Sequence, residues 1–332
     1  MSGGLLAVHA HPDDETLATG ALIATWAAAG LPVTVVTCTR GERGEVIPPA
    51  LAHLEGDGPR LAAHREAELG EALAALGADG VYLDRVVLPG EVLEPSAPGR
   101  ASGPARRYTD SGMAWTGSGQ AGPAASLARD AFVGRPLDEQ VARLAAVIRE
   151  RRPEVVVTYE PGGGYGHPDH LRAHEVTMRA VERAAAEEDG SPTAAHAVAA
   201  VLWTAIGDAT LREGRRALAT ARVVTELPDR STVTLPDPAG PLPSVAVPEA
   251  LLALQVDVAP VLDRLVGALR AHRTQVQAVG VEREPDAGSA ILGCYALSNG
   301  VLAPVLRHES FRFAPGWAAG PLCWPAGVAR VA

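Results

Sequence analysis

The chain has 332 residues, and its 29 basic and 39 acidic side chains give a net charge of −10 at neutral pH. The acidic balance and the lack of any run of basic residues argue against nucleic acids and membrane surfaces as partners. Neither a signal peptide nor a membrane-spanning apolar stretch is evident, so we expect a cytoplasmic protein. Cys38, Cys294 and Cys323 are far apart in the sequence and are predicted to be free thiols.

The first half of the chain alternates strand-like and helix-like patterns. Strands are predicted at 5–10, 32–38, 81–87 and 154–159, and helices at 16–29, 59–77, 137–151 and 171–187. Repeated βα units of this length predict an α/β fold whose sheet is Rossmann-like and mostly parallel, with helices on both faces. We expect residues 1–190 to form this core and to carry the catalytic site.

The rest of the chain is less regular. Residues 89–135 are rich in Gly, Pro, Ser and Ala and are long for a plain connection, which favours a functional loop or lid inserted in the core. Residues 191–332 are predicted to complete the fold and the substrate pocket as a smaller strand and helix portion. Its predicted elements are strands at 196–206 and 223–233, a long helix at 249–272, strand character at 291–313, and a surface tail at 314–332.

Two similar motifs follow predicted strands and open predicted helices. The first is HPDDE at 11–15, and the second is HPDH at 167–170, which four glycines and Tyr165 precede. In open α/β sheets, ligands bind at the carboxyl edge of the strands, so two such turns can converge there. Together they offer imidazoles and carboxylates but no thiol. The glycines favour a functional role, because they allow unusual backbone angles close to a ligand.

A metal site follows from these residue types. His11 and Asp14 from the first turn and His170 from the second offer two nitrogens and one oxygen and leave a position open. A Zn²⁺ ion held this way lowers the pKa of a bound water to ~7, which suits hydrolysis. The same three ligands also suit Fe²⁺. Iron oxygenation is less favoured, but only because that chemistry usually occurs on another fold.

Structural explanations compete with the functional one at several positions. Asp13, Asp14 and Glu15 stand where helices accept acidic caps and dipole partners. His9 lies inside an apolar run and is predicted to be a hydrogen-bonded core residue. His174, one turn after His170, is predicted to be structural because three ligands already complete the usual set.

The two motifs closely resemble those of the PIG-L/LmbE-like zinc-dependent N-deacetylases. Further segments that are similar to this family lie at 38–46, 64–69, 107–114, 272–275 and 296–299. These segments are closest to the branch of the family that acts in mycothiol biosynthesis. The resemblance implies one Zn²⁺ per chain and hydrolysis of the acetamide of a small amino-sugar inositol, N-acetylglucosaminyl-inositol.

The same resemblance implies a role for each matching position. It assigns the metal to His11, Asp14 and His170. It assigns the general base to Asp13, which takes a proton from the attacking water and hands it to the leaving amine.

Five more positions match residues of the family with roles around the substrate. His167 matches the residue that stabilises the oxyanion, and Asp169 the partner that favours its charged form. Tyr165 matches a mobile tyrosine that closes over the tetrahedral intermediate. Arg65 and Asp110 match residues that hold the inositol and sugar hydroxyls. The chain departs from the family pattern just before Asp110, which leaves the shape of that loop open.

Other functions remain as alternatives. A mycothiol S-conjugate amidase cleaves the adjacent amide of a larger substrate, although the GYGH run at 164–167 favours the deacetylase. A deacetylase of another N-acetylglucosamine conjugate is a third option. A nucleotide-binding Rossmann module is disfavoured, because the first turn lacks GxGxxG and carries two aspartates where pyrophosphate would sit. A role as a metal carrier is disfavoured, because the ion would keep an open coordination position and Asp13 would stand beside it as a base. No pattern indicates the oligomeric state.

Overall fold

The computed structural model describes residues 3–88, 90–91, 108–117, 120–123, 127–187, 193–228, 230–283, 288–317 and 322–331. The strands are β1 (Leu5–His9), β2 (Val33–Thr37), β3 (Asp79–Tyr82), β4 (Met113–Gly117), β5 (Gln120–Pro123), β6 (Val155–Thr158), β7 (Ala200–Gly207), β8 (Ala246–Val247), β9 (Leu254–Asp257), β10 (Gln277–Val281), β11 (Ile291–Ala296), β12 (Leu302–Leu306), β13 (His308–Phe313) and β14 (Val328–Arg330). The helices are α1 (Asp14–Ala28), α2 (Gly58–Leu76), α3 (Leu137–Arg151), α4 (Gly163–Gly166), α5 (Pro168–Ala185), α6 (Asp208–Leu218), α7 (Arg222–Thr225) and α8 (Leu262–Ala271).

A nine-stranded sheet forms the centre of the fold, in the order β14-β9-β13-β7-β6-β1-β2-β3, with β8 paired to β7. The pairs from β7 through β6 and β1 to β3 are parallel, and β13, β9 and β14 extend the sheet in antiparallel fashion. The prediction of a mostly parallel α/β sheet is therefore confirmed. A separate three-stranded sheet, β10-β11-β12, lies outside it.

Helices cover both faces of the parallel part. On β1, Leu5 and Ala7 pack with α1, α2 and α8 on one face, while Leu6 and Val8 pack with α3 and α5 on the other. Successive side chains of a strand point to opposite faces, so a strand covered on both sides is apolar throughout. All five residues of β1 are buried accordingly, and the strand ends at the first motif.

Two predicted elements of the second half are wrong. Residues 223–233 form α7 and a 3₁₀ turn rather than a strand, and Val223 and Val224 bury their side chains against the small sheet. The predicted helix at 249–272 is in fact β9 followed by α8, with Pro260 in the turn between them. Proline cannot donate the hydrogen bond that a helix interior needs, so the helix begins after it. Helix α6 was not predicted.

The predicted loop at 89–135 lies partly outside the described residues. Its described part contains the β4–β5 hairpin, whose register pairs Ala114 with Gly122. The backbone at Ala121 approaches Gly166 so closely that a Cβ there would come within 2.8 Å of the Ala121 carbonyl oxygen. The hairpin therefore lies against the second motif. Among the described residues, no helix combines the length and the apolar character that a membrane crossing requires.

The segment that follows α8 fastens the first motif to the fold. The His272 imidazole lies 2.7 Å from a Glu15 carboxylate oxygen, and both side chains are fully buried. The Gln275 amide donates to the Pro12 carbonyl at 2.6 Å. Burial opposes charge on either member of the pair, but the opposite charges prevail, raising the pKa of His272 and lowering that of Glu15. The Glu15–His272 ion pair thus joins the start of α1 to the segment that follows α8.

We expect His272→Ala to lower the free energy of unfolding by about 3 kcal/mol, because it leaves the Glu15 carboxylate buried without its charged partner. His272→Gln retains a donor near Glu15 and should lose less. His53→Ala, at an exposed position, is the matched control and should change stability by no more than about 0.5 kcal/mol. Urea denaturation measures all three, and a His272→Ala protein as stable as the control would contradict the expectation.

Candidate active site

The two motifs are neighbours because their strands are neighbours. β1 pairs with β6 in parallel, with Leu5 opposite Val155 and Ala7 opposite Val157. The first motif leaves the carboxyl end of β1 and starts α1 at Asp14, and the second starts α5 at Pro168. Both turns therefore emerge at one edge of the sheet, as predicted for a ligand site in this class of fold.

Three side-chain atoms from these turns form a small triangle. His11 Nδ1 lies 3.2 Å from Asp14 Oδ2, and His170 Nε2 lies 3.3 Å from each of those two atoms. A tetrahedral Zn²⁺ with bonds of about 2.0–2.1 Å holds its ligand atoms ~3.3 Å apart. All three residues are buried. The predicted ligand set therefore has the spacing that such an ion requires.

Hydrogen bonds on the far side of each imidazole direct the lone pairs toward this triangle. His170 Nδ1 lies 3.1 Å from the Gly163 carbonyl, to which it donates, so its Nε2 lone pair is free. His11 Nε2 lies 3.1 Å from Asp169 Oδ2, which leaves its Nδ1 lone pair free. Such partners set the tautomer and orientation of metal-ligating histidines. Burial opposes protonation of His11, but Asp14 and Asp169 raise its pKa, so binding a cation there releases a proton.

Tyr159 supports the triangle and was not predicted from the sequence. Its ring stacks on His170 with centroids 4.2 Å apart and an interplanar angle of 13°. Its hydroxyl oxygen accepts a hydrogen bond of 2.9 Å from the Ala10 N–H. Tyr159 directly follows β6, so the sequence signal was an aromatic residue at the end of a buried strand beside the glycine-rich turn.

Asp13 lies beside the triangle in a strained backbone conformation. Its φ is 105°, which is rare for a residue with a Cβ. The turn is held from two sides, since the Asp13 N–H donates to Glu15 at 3.0 Å and Gln275 binds the preceding carbonyl. Burial and the adjacent Asp14 charge raise the pKa of Asp13 to about 8, against the opposing effects of His272 and Arg65. With this pKa the metal-free side chain is largely protonated near neutrality, and a cation at the triangle would lower the pKa so that the ionised carboxylate can accept a proton.

The His167 imidazole is oriented by the backbone of the second motif. Its Nδ1 accepts the Asp169 backbone N–H at 3.1 Å, so the ring proton resides on Nε2. Burial, together with His11 and His170, lowers the pKa of His167 to about 2. The Asp169 carboxylate instead bonds His11 and the Ser111 N–H. The Asp169 charge raises the pKa of His167, as predicted, but burial and the two other histidines outweigh it, so the oxyanion-stabilising role of His167 stays a prediction.

Tyr165 lies over the two histidines of the second motif. Its ring centroid is 5.0 Å from that of His170 and 6.2 Å from that of His167, edge-on in both cases. Gly163, Gly164 and Gly166 around it have φ values of 65°, 76° and 93°, which explains the need for glycine. Burial and the nearby Asp14 charge hold the pKa of the Tyr165 hydroxyl well above its usual range, so it stays a hydrogen-bond donor.

The two predicted substrate-binding residues differ in position. Asp110 Oδ1 lies 3.8 Å from His11 Nε2 and also accepts the Gly112 N–H, so Asp110 lies next to the triangle. The Arg65 guanidinium is buried and donates to the Gly41 and Glu45 carbonyls and to Thr274 Oγ1. These hydrogen bonds hold the loop that follows β2, and a role of Arg65 toward substrate hydroxyls stays a prediction.

Glu42 was missed as a site residue although its segment was noted for its resemblance. Its Oε2 accepts the Asp110 N–H at 3.1 Å, and its Oε1 is buried without a hydrogen-bond partner among the described residues. Glu42, Arg43, Thr109 and Asp110 line one polar cleft. The cleft places acceptors and a cation beside His11, which suits a ligand with many hydroxyls.

Comparison with known proteins agrees with this site. The family model described as "PIG-L: GlcNAc-PI de-N-acetylase" matches residues 6–181, which include both motifs. A 1D-myo-inositol 2-acetamido-2-deoxy-α-D-glucopyranoside deacetylase of Kineococcus radiotolerans is 42% identical over 96% of this chain and 79% of its own length. The enzyme of the same name from Tsukamurella paurometabola is 43% identical over 97% of this chain and 96% of its own.

Solved structures share the fold at lower identity. N,N′-diacetylchitobiose deacetylase from Pyrococcus horikoshii has a TM-score of 0.52 and 16% identity, covering 95% of this chain and 85% of its own. The 4-carboxy-2-hydroxymuconate hydratase GalB from Pseudomonas putida has a TM-score of 0.51 and 17% identity, covering 97% of this chain and all of its own. One fold thus serves deacetylation and hydration, so the fold alone does not decide the reaction. With a family model over more than half its length and relatives above 40% identity over nearly all of it, the chain belongs to the PIG-L family of amide-hydrolysing de-N-acetylases.

Proposed function

We propose that this chain hydrolyses the acetamide of 1D-myo-inositol 2-acetamido-2-deoxy-α-D-glucopyranoside to acetate and the free amine, as a Zn²⁺ enzyme of mycothiol biosynthesis. The observation that carries the chemistry is the triangle of His11, Asp14 and His170 atoms at 3.2–3.3 Å beside the half-buried Asp13. The substrate follows from relatives with that name, which match nearly the whole chain at 42–43% identity.

Each residue around the triangle has a separate role in the proposed reaction. When bound, the ion supplies Lewis-acid polarisation of the amide carbonyl and makes hydroxide available near neutral pH. Asp13 takes the proton of the attacking water and passes it to the nitrogen of the leaving amine, whose C–N bond breaks. The Nε2–H of His167 and the hydroxyl of Tyr165 donate to the carbonyl oxygen as negative charge develops on it. Asp110 and Glu42 accept from sugar hydroxyls.

We expect purified protein to release acetate from this substrate, to lose that activity on chelation and to regain it with added Zn²⁺. His11→Ala should bind far less than one ion per chain, because one corner of the triangle is missing. His53→Ala, away from the site, is the control and should bind metal normally. Metal analysis after dialysis measures this, and stoichiometric zinc in His11→Ala would overturn the ligand assignment. Reconstitution with Fe²⁺ in parallel tests the other metal.

The competing amidase reaction is tested in the same assay. A mycothiol S-conjugate is offered beside the acetamide at equal concentration. Under the proposal kcat/KM is higher for the acetamide. A fully metal-loaded protein that prefers the conjugate would keep the family and the metal chemistry but refute the substrate.

We expect Asp13→Asn to bind zinc normally and to lose about 100- to 10,000-fold in kcat, because it removes the proton acceptor while leaving the triangle intact. Asparagine tolerates positive φ better than most residues, so the turn should survive. Asp138→Asn, on the exposed start of α3, is the matched control. Full activity in Asp13→Asn would exclude Asp13 as the base.

The raised pKa of Asp13 predicts a stability effect in metal-stripped protein. Its pKa is about 8 in the folded chain against an ordinary value of 3.8. Between these values the unfolded chain loses the proton while the folded chain keeps it, so wild-type stability falls as pH rises from 4 to 8. The asparagine does not titrate, so this loss of stability is absent from the variant. The melting temperature of Asp13→Asn minus that of wild type should therefore increase as the pH rises over the same range. A constant difference between pH 5 and 8 would contradict the expectation.

A further inference from the structure

An apolar cavity of about 290 Å³ lies against the metal-binding triangle. Its wall is built mostly from apolar side chains of separate elements, among them Leu17 of α1, Leu269 of α8, Val305 of β12, and Leu297 just after β11. The relatives' substrate is a sugar joined to a cyclitol, and such a molecule has no apolar part large enough for this space. The proposed mechanism does not account for the cavity.

The cavity and the polar cleft approach the triangle through different residues. Asp14, Tyr165 and His170 line the cavity, whereas Asp110, with Glu42, lines the cleft, and the two linings share no residue. An amide whose carbonyl sits at the triangle has two substituents that diverge from it. On the proposed function, the hydroxyl-rich amine portion lies in the cleft. The acyl portion then faces the cavity.

The cavity is far larger than an acetyl group requires. A methyl group is about the size of a water molecule, whose share of liquid volume is ~30 Å³. The available volume is about 290 Å³. We infer that the cavity is an acyl-binding subsite and that the enzyme also hydrolyses glucosamine amides of unbranched, uncharged acyl chains of about four to six carbons. The inference rests on the proposed function for the orientation of the amide.

One polar group in the wall restricts the chain type. The Glu309 carboxyl accepts the N–H groups of Ala21 at 2.6 Å and Leu22 at 3.0 Å, so helix α1 holds it in place. Burial raises its pKa to about 7, with the two backbone donors opposing the shift. An acyl chain that ends in a carboxylate would meet this group and lose its own hydration. The subsite therefore favours simple alkyl chains over dicarboxylic ones.

The test is a chain-length series of N-acetyl, N-butyryl and N-hexanoyl glucosaminyl-inositol, with free amine as the readout. Each buried methylene should raise kcat/KM by about fourfold until the cavity is filled. A kcat/KM for the N-butyryl substrate several-fold above that for the N-acetyl substrate supports the subsite, and an equal or lower value overturns it. N-succinyl substrate should be hydrolysed more slowly than N-butyryl, and equal rates would refute the role of Glu309.

Two variants locate the effect in the cavity. Ala205 lines it, so Ala205→Leu should lower the ratio of N-butyryl to N-acetyl kcat/KM by about fivefold or more. Leu297→Trp makes the same test at a half-buried position if the first variant fails to fold. Ala209→Leu is the matched control on the exposed side of α6 and should leave the ratio unchanged. The subsite is overturned if the ratio of N-butyryl to N-acetyl kcat/KM falls by less than about fivefold in both cavity variants.

Failure of the subsite is distinguishable from failure of the proposed function. If the inositol substrate is not deacetylated, the proposed function is wrong. The acyl-binding subsite can still be tested, because the affinity for N-acylglucosamines of different chain length is measured without turnover. Calorimetry on metal-stripped protein compares N-hexanoylglucosamine with N-acetylglucosamine, neither of which turns over. Tighter binding of the hexanoyl compound, lost in Ala205→Leu, supports the cavity, whereas equal or weaker binding refutes it.

Discussion

The candidate site depends on the parallel pairing of β1 with β6. His11 and His170 are 159 positions apart in the chain, yet their ring nitrogens lie 3.3 Å from each other because both follow adjacent strands at the same sheet edge. A slip of one residue in this register would turn every side chain of β1 to the other face, and His11 with it. Burial of β1 on both faces makes such a slip costly, since Leu5 and Leu6 have separate cores to fill.

The charge distribution around the triangle favours a cation at this edge of the sheet. Asp14, Asp110 and Asp169 are buried within reach of His11, and Asp13 is adjacent. Buried carboxylates are costly without positive partners. Two positive groups that act on Asp13, His272 and Arg65, are engaged with Glu15 and with backbone carbonyls. A cation at the triangle would add positive charge beside these carboxylates.

The features predicted correctly from the sequence are those that a local pattern of residues determines. Alternating apolar runs predicted the strands of the parallel core, and two turns with the same residue types predicted which side chains meet. Local pattern does not reveal contacts between residues that are distant in the sequence. The Asp169 carboxylate binds His11, 158 positions away, and the Arg65 guanidinium donates to the Gly41 carbonyl, while the predicted roles of both residues toward substrate stay predictions. Apolar residues at 249–272 fit a helix until Leu254–Asp257 pairs as an edge strand with β13.

The division of labour along the chain follows from the same geometry. Both motifs lie within residues 6–181, the part that matches the family model, and they contain the triangle of His11, Asp14 and His170 with the adjacent Asp13. The Glu15–His272 ion pair beside the Asp13 turn and most of the cavity wall involve later residues, including His272, Leu269 and Leu297. Under the proposed function, substitutions in the later part would change the space beside the scissile bond without moving a metal ligand. The chemistry and the selectivity for the acyl group would then be set by different segments, so that one catalytic edge could serve amides of different size.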